Sequence, residues 1–139
     1  MTVFTPSTQN EAIAAIQWAA AEEAPLELVG QGSKSSIGRP SQSEHTLDLS
    51  RLTGVTLYEP AELVLSARAG TPLAEIEKLL AENGQRFDFE PMDHGPLLGL
   101  PSGRGTIGGM LAANLSGPRR LKSGAARDHV LGIEAVSGR

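Results

Sequence analysis

Two glycine-rich stretches hold the residues best suited to binding a ligand. The first, "LVGQGSKSSIG", begins at Leu28 and combines Gly30 and Gly32 with Lys34 and several serines. Glycines let successive backbone N–H groups turn toward one point, where they can bind an anion together with nearby hydroxyl and ammonium donors. The stretch therefore indicates either a phosphate-binding nest or an ordinary surface turn.

Two common phosphate-binding motifs do not fit this first stretch. A P-loop needs Gly-Lys-Ser/Thr at the start of a helix, but Ser33 separates Gly32 from Lys34 and Pro40 would break the helix. A dinucleotide-binding fingerprint needs a third glycine that opens a crossover helix, which is missing after Gly32. A nest formed by the loop itself is the phosphate-binding hypothesis that remains.

The second stretch, residues 103–109, contains a literal G-x-G-x-x-G. It does not match the dinucleotide fingerprint, because Leu100-Pro101-Ser102 stands where a strand should lead in and Asp128 precedes an apolar run instead of ending one. The continuation "AANLSGPRR" combines small residues with polar side chains. This composition suits a flat ring system and its phosphates, and it also suits tight packing of a short helix on a sheet.

Charge is distributed unevenly along the 139 residues, whose net charge of −4 argues against a general nucleic-acid binder. Fourteen of the sixteen acidic residues precede His94 and none lies between Gly95 and Arg127. Five basic residues occupy that acid-free segment: Arg104, Arg119, Arg120, Lys122 and Arg127. The segment would attract an anion, or it forms a solvated or partner-docking surface.

Several classes of protein and site are unexpected for this composition. The chain has no cysteine, which excludes disulfides, iron–sulfur clusters and thiolate zinc sites within it, and we expect no metal site. We find no signal-peptide pattern and no apolar run near the roughly 20 residues needed to span a bilayer. We therefore expect a cytoplasmic protein without direct membrane insertion.

Hydrophobic periodicity predicts the elements that position the two stretches. A capping box at Thr8 predicts a helix over residues 8–23. A second helix is expected to begin with Thr71 as N-cap and Pro72 at its first position, and to end at Gly84. A short helix is expected over 110–115, and strands over 26–30, 46–50, 55–58, 62–69 and 129–136. These elements form two blocks, 1–53 and 54–139, and predict a mixed α/β or α+β protein.

Taken together, the stretches resemble the FAD-linked oxidase family related to vanillyl-alcohol oxidase and p-cresol methylhydroxylase. The resemblance rests on the loop around Gly32, on "TIGGMLAANLSG" at 106–117 and on "GAARDHVLGIEAV" at 124–136, in the family's order. Within that family, "FEP" at 89–91 and residues 113–132 are most similar to the flavin-binding E subunits of bacterial glycolate oxidases. The resemblance implies an α+β, p-cresol methylhydroxylase-type FAD-binding domain.

The resemblance implies two sets of cofactor-binding residues. The set that wraps the FAD pyrophosphate comprises Gly30, Gln31, Gly32, Ser33, Lys34 and Ser35. The set that lines the cofactor from the pyrophosphate toward the isoalloxazine comprises Thr106, Gly108, Gly109, Ala113, Asn114, Ser116 and Gly117. Some relatives attach the flavin through a histidine in or near the first loop. Residues 30–38 contain no histidine, so we expect non-covalent FAD.

The resemblance also implies a function and partners. We expect the FAD-binding portion of an oxidoreductase that passes a hydride from a 2-hydroxy acid, such as glycolate, to the flavin. Further oxidase subunits, including a second flavin subunit and an iron–sulfur subunit, would carry the electrons onward and could associate the protein with a membrane. An electron-relay or scaffold subunit and a same-fold reductase of cell-wall precursor synthesis remain alternatives.

Family members are longer than this chain, and this leads to three further expectations. Residues 1–53 and 54–139 would be the two subdomains of the FAD-binding domain, the second of them truncated. The substrate domain would be absent, and the fragment would be inactive alone. His94 and Arg104 could approach a substrate carboxylate, but nothing in the sequence identifies a catalytic residue.

Overall fold

The computed structural model describes residues 2–138 as a mixed α and β structure. Three short strands, β1 (Thr2–Phe4), β2 (Leu26–Val29) and β3 (His45–Asp48), form a parallel sheet in the order β1-β3-β2. Helix α1 (Gln9–Ala21) connects β1 to β2. The first glycine-rich stretch runs from the end of β2 to the start of β3, so it lies between two strands, as predicted, and the structure shows that these strands are parallel neighbours.

Helix α1 confirms the predicted capping box. The Thr8 hydroxyl accepts a hydrogen bond from the Glu11 backbone N–H at 3.3 Å, and the Glu11 carboxylate accepts one from the Thr8 N–H at 3.3 Å. Three alanines on one face of α1, Ala12, Ala15 and Ala19, are buried. Small side chains on this face allow the helix to pack closely.

The second block begins with an antiparallel hairpin of β4 (Val55–Glu59) and β5 (Val64–Ala67), followed by helix α2 (Leu73–Glu82). The predicted apolar stripe of α2 is confirmed, since Leu73, Ile76 and Leu80 are all buried. Gly84 ends the helix with a φ of +67°, as expected for a glycine that follows a helix.

The start of α2 differs from the prediction. Pro72, not Thr71, occupies the N-cap position, and the Thr71 side chain caps nothing in α2. Thr71 is instead completely buried, and its hydroxyl donates to the Arg68 carbonyl at 2.6 Å and accepts from the Gly54 N–H at 3.0 Å. Its hydroxyl therefore ties the end of β5 to the start of β4, which a local capping pattern cannot reveal.

Two further helices complete the described chain, α3 (Ile107–Ala113) and α4 (Arg120–Ser123). Helix α3 confirms the short helix expected at 110–115, shifted toward the N-terminus. Four buried residues from separate segments form the core around it: Leu73, Phe89, Met110 and Ala126. This core holds α3 beside α2 and fixes where the second glycine-rich stretch lies.

The prediction of a strand over 129–136 is wrong. A 3₁₀ turn covers Ala126–His129, and residues 130–138 have no regular structure. A strand requires a neighbouring strand that accepts its hydrogen bonds, and within residues 2–138 none lies beside this segment. Leu131 and Ile133 consequently remain 84% and 79% exposed.

The elements before residue 54 form the parallel sheet with α1, and those after it form the hairpin with α2–α4. The division into two subdomains stays a prediction. Among residues 2–138, no helix is long and apolar enough to cross a bilayer.

Candidate cofactor-binding site

The structure brings the two glycine-rich stretches into direct contact. Gly30, immediately after β2, lies against Thr106, the N-cap of α3, and a Cβ added to Gly30 would be only 2.8 Å from the Thr106 Oγ1. Thr106 is 4% exposed, and its Oγ1 accepts a hydrogen bond from the Gly109 N–H at 3.2 Å. Glycine at position 30 therefore permits the first loop to approach the start of α3.

The first loop has the features of an anion-binding nest. Gly32 has a φ of +67°, and its carbonyl accepts hydrogen bonds from the Ser35 N–H at 3.4 Å and the Ser35 hydroxyl at 3.1 Å. Ser33 is buried, and Gln31, Gly32 and Lys34 are partly buried. Across residues 2–138, no acceptor is found for the backbone N–H groups of Gly32, Ser33 and Lys34. Partly buried donors without acceptors are suited to bind the oxygens of a phosphate.

Lys34 places a cation between this loop and α3. Its Nζ donates to the Ser33 hydroxyl at 3.4 Å and lies 3.7 Å from where a Cβ on Gly109 would be. Partial burial lowers the pKa of the Lys34 ammonium, while the nearby Asp93 carboxylate opposes this shift. The ammonium is thus partly desolvated at the position where the two stretches meet.

Asp93 was missed by sequence reasoning, although it organises the loop opposite Lys34. Its carboxylate accepts hydrogen bonds from the Gly103 N–H at 2.8 Å and the Gly95 N–H at 3.0 Å. The first of these bonds holds the two ends of the loop 93–103 together. These two hydrogen bonds are the main cause that lowers the pKa of Asp93, and the Lys34 ammonium contributes in the same direction. The Asp-x-Gly spacing is the local signal for such a turn.

The start of α3 is held by the protein itself. The Ile107 N–H donates to the Thr71 carbonyl and the Gly108 N–H to the Ala69 carbonyl, both at 2.9 Å. A Cβ on Gly108 would lie 2.8 Å from the Cβ and the carbonyl oxygen of Ala69. Close packing explains why residue 108 is a glycine. Tight packing was one of the two interpretations of the second stretch, and ligand binding was the other. Gly109 instead faces the first loop, since a Cβ added there would lie 3.1 Å from the Thr106 Oγ1 and 3.7 Å from the Lys34 Nζ.

Of the predicted cofactor-binding residues at and after the end of α3, some make contacts within the protein and one has an unpaired hydroxyl. Ala113 ends α3, and Asn114 caps it with a φ of +46° while its Oδ1 accepts from the Arg127 N–H at 3.2 Å. Gly117 lies against Glu90 and donates to the Glu90 carbonyl at 3.3 Å. Ser116 differs from both, because its buried hydroxyl has no hydrogen-bond partner within the described residues.

Part of the predicted basic segment is neutralised locally. Arg119 lies 3.6 Å from the Glu90 carboxylate, and Arg127 lies 3.8 Å from that of Asp128. The Arg127–Asp128 pair is exposed and the Arg119–Glu90 pair is largely so, and each therefore adds little stability. Lys34, which the first loop supplies, is the cation whose ammonium lies where the two stretches meet.

The donor set of the first loop fits a diphosphate. It combines backbone N–H groups without acceptors, the Ser33 hydroxyl and the partly buried Lys34 ammonium. Gly109 adds no side chain of its own beside the Lys34 ammonium. The diphosphate at the centre of a dinucleotide such as FAD requires charge-assisted donors of this kind.

Comparisons with known proteins identify the family of this chain. The family described as FAD binding domain matches residues 2–139. The chain is 41% identical over 123 residues to the glycolate oxidase subunit GlcE of Escherichia coli, covering 88% of this chain and 33% of that subunit. It is 28% identical to a D-lactate dehydrogenase of Archaeoglobus fulgidus, covering 96% of this chain and 28% of that enzyme. The chain thus spans a third or less of these relatives.

A solved structure of alkyldihydroxyacetonephosphate synthase superposes with a TM-score of 0.71 at 22% identity, covering 93% of this chain and 24% of that one. This match confirms the predicted α+β fold of the p-cresol methylhydroxylase type. The family match confirms FAD as the cofactor. The roles of individual residues toward FAD stay predictions. The chain belongs to the FAD-binding domain family of FAD-linked oxidases.

Proposed function

We propose that this chain holds FAD in a flavin-dependent oxidoreductase whose complete form oxidises a 2-hydroxy acid, with glycolate as the favoured substrate. The observation that carries the binding part is the contact of Gly30 with Thr106, which joins a loop of N–H groups without acceptors to the start of α3. Glycolate and D-lactate, which appear in the names of two relatives, are both 2-hydroxy acids, and this supports the substrate class.

The residues of the chain bind and orient the cofactor. The N–H groups of Gly32, Ser33 and Lys34 would donate to the diphosphate oxygens, and the Lys34 ammonium would offset their charge. Partial burial strengthens these interactions because it lowers the local dielectric constant. Gly109 would allow the cofactor to lie close to the backbone of α3. Bound FAD supplies the hydride acceptor for oxidation of the substrate.

The similarity to a protein named as an oxidase subunit supports a multi-subunit assembly. We propose that the complete protein works with a second flavin subunit and an iron–sulfur subunit, and that any association with a membrane occurs through those partners. The absence of histidine from residues 30–38 supports non-covalent attachment of FAD in the first loop.

Anaerobic mixing of the complete, FAD-loaded protein with candidate substrates tests the proposed reaction. Glycolate should bleach the absorbance of the oxidised flavin, D-lactate should do so more slowly, and acetate should have no effect because it carries no hydroxyl group to oxidise. A protein that binds FAD but is not reduced by any 2-hydroxy acid would contradict the proposed substrate class.

A further inference from the structure

Buried polar atoms without partners mark a second part of the site. Within residues 2–138 three buried side-chain atoms lack a hydrogen-bond partner: His45 Nδ1, His94 Nε2 and Ser116 Oγ. An antiparallel bridge between Pro91 and Ser116 joins the segments that carry the last two. Native proteins rarely leave such atoms unpaired, because desolvation without a hydrogen bond costs free energy. Two of them on adjoining segments point to a missing ligand.

His94 shows which kind of group is missing. Its side chain is 4% exposed, and its Nδ1 lies 3.0 Å from the Met92 carbonyl oxygen. A carbonyl oxygen only accepts hydrogen bonds, so this contact assigns the ring hydrogen to Nδ1. In the neutral ring, Nε2 then presents a lone pair. For this neutral form, the missing partner is a hydrogen-bond donor.

The position of His94 relates this lone pair to the cofactor. His94 follows Asp93, whose carboxylate accepts a hydrogen bond from the Gly103 N–H at 2.8 Å, at the start of the second glycine-rich stretch, and interacts electrostatically with Lys34 of the first loop. The Lys34 Nζ in turn lies beside Gly109. An ionised diphosphate offers acceptors only and cannot satisfy the His94 lone pair. The hydroxyl groups of the sugars on either side of a diphosphate are donors, and they lie within a few bonds of it.

We propose that His94 binds the cofactor by accepting, at Nε2, a hydrogen bond from a sugar hydroxyl next to the diphosphate. This inference rests on the proposed binding of FAD in this site. The hydroxyl belongs either to the ribityl chain or to the ribose of the adenosine half, since the two share this chemistry. Ser116, on the paired segment, offers a second hydroxyl that can donate or accept there.

Substitution of His94 in the complete protein tests the inference. His94→Phe keeps a ring of similar size but removes the lone pair, whereas His94→Gln restores an acceptor oxygen near the position of Nε2. The matched control is His45→Phe, because His45 also has a buried ring nitrogen without a partner but lies on β3 against Trp18. Fluorescence titration gives the Kd for FAD, and thermal denaturation of each apoprotein reports its stability.

We expect His94→Phe to weaken FAD binding about fivefold to tenfold, as for loss of one buried hydrogen bond. His94→Gln should recover part of this loss, and His45→Phe should leave the Kd unchanged. Titration with FMN and with ADP identifies the sugar, since the loss should appear with FMN for a ribityl hydroxyl and with ADP for a ribose hydroxyl.

An unchanged Kd for FAD in His94→Phe would overturn the inference while leaving the proposed function intact. A loss of affinity that His94→Gln does not relieve, accompanied by an equal loss of apoprotein stability in both variants, would also overturn it, because His94 would then act on the fold. Failure of the unsubstituted protein to bind FAD would instead overturn the proposed function.

Discussion

Replacement of Gly32 with valine should weaken FAD binding strongly while leaving the fold nearly intact. Gly32 has a φ of +67°, and nothing lies within 4 Å of a Cβ added to it, so the side chain meets no steric clash in the apoprotein. The cost comes from the backbone, because an L-residue in the left-handed region is strained by about 1–2 kcal/mol. Relaxation of that strain would turn the N–H groups of the loop away from the diphosphate.

The expected loss of affinity follows from the hydrogen bonds involved. A hydrogen bond to a charged group is worth about 1.5–3 kcal/mol, so loss of one donor to the diphosphate should raise the Kd for FAD about tenfold to hundredfold. Isothermal titration of the apoprotein with FAD measures this change. Thermal denaturation of the same samples should show only the modest loss expected from backbone strain.

Gly38 provides the matched control within the same loop. It has a φ of +91°, and nothing lies within 4 Å of a Cβ added there, but it is exposed and lies beyond the predicted nest. Gly38→Val should therefore cost similar stability and have little effect on the Kd. Ser41→Val, at another exposed position, should change neither. Equal losses of FAD affinity in Gly32→Val and Gly38→Val would refute the role of the nest.

Three further predictions follow from the same contacts. Gly30→Ala should destabilise the protein by about 1–3 kcal/mol because its Cβ would press on Thr106, whereas Gly132→Ala, with nothing within 4 Å, should be harmless in the same denaturation experiment. Lys34→Met should weaken FAD binding up to about fivefold at low salt and make the Kd less sensitive to added salt, as measured by titration at two ionic strengths. The hydrogen bonds that lower the pKa of Asp93 contribute stability above its unfolded-state pKa of about 3.9, and this stability is lost as the pH falls through the lower folded-state pKa. Asp93→Asn should therefore be less stable than the unsubstituted protein at neutral pH, and thermal denaturation at acid pH should show a smaller difference; a difference that is independent of pH would contradict this account.

Elements determined by neighbouring residues were predictable from the sequence. The capping box at Thr8, the apolar stripe of α2 and the glycine after it are each encoded within a few residues, and the structure confirms them. The strand at 26–29 was also predictable from an apolar run bounded by Pro25 and Gly30, although the burial that such a run indicates was not, since Leu28 is 64% exposed. Such patterns need no knowledge of distant parts of the chain.

Features that depend on distant contacts were not predictable. The apolar run at 129–136 has strand composition but no strand beside it within the described chain, and Thr71 resembles an N-cap but is held by Gly54, seventeen residues away. The site itself was anticipated as two separate stretches, whereas the contact between Gly30 and Thr106 and the closing role of Asp93 required the folded structure. A local sequence pattern indicates the secondary structure that a segment prefers, whereas tertiary contacts determine its hydrogen-bond and packing partners.

Titration of the purified chain with FAD, with riboflavin and ATP as competitors, tests most directly that residues 30–35 hold the diphosphate of FAD. FAD should bind far more tightly than riboflavin, which lacks the diphosphate, and ATP should compete poorly because it lacks the flavin half. The Gly32→Val variant should lose most of the difference between FAD and riboflavin. Riboflavin binding as tightly as FAD, or ATP competing on equal terms with it, would contradict the assignment of this loop to the FAD diphosphate.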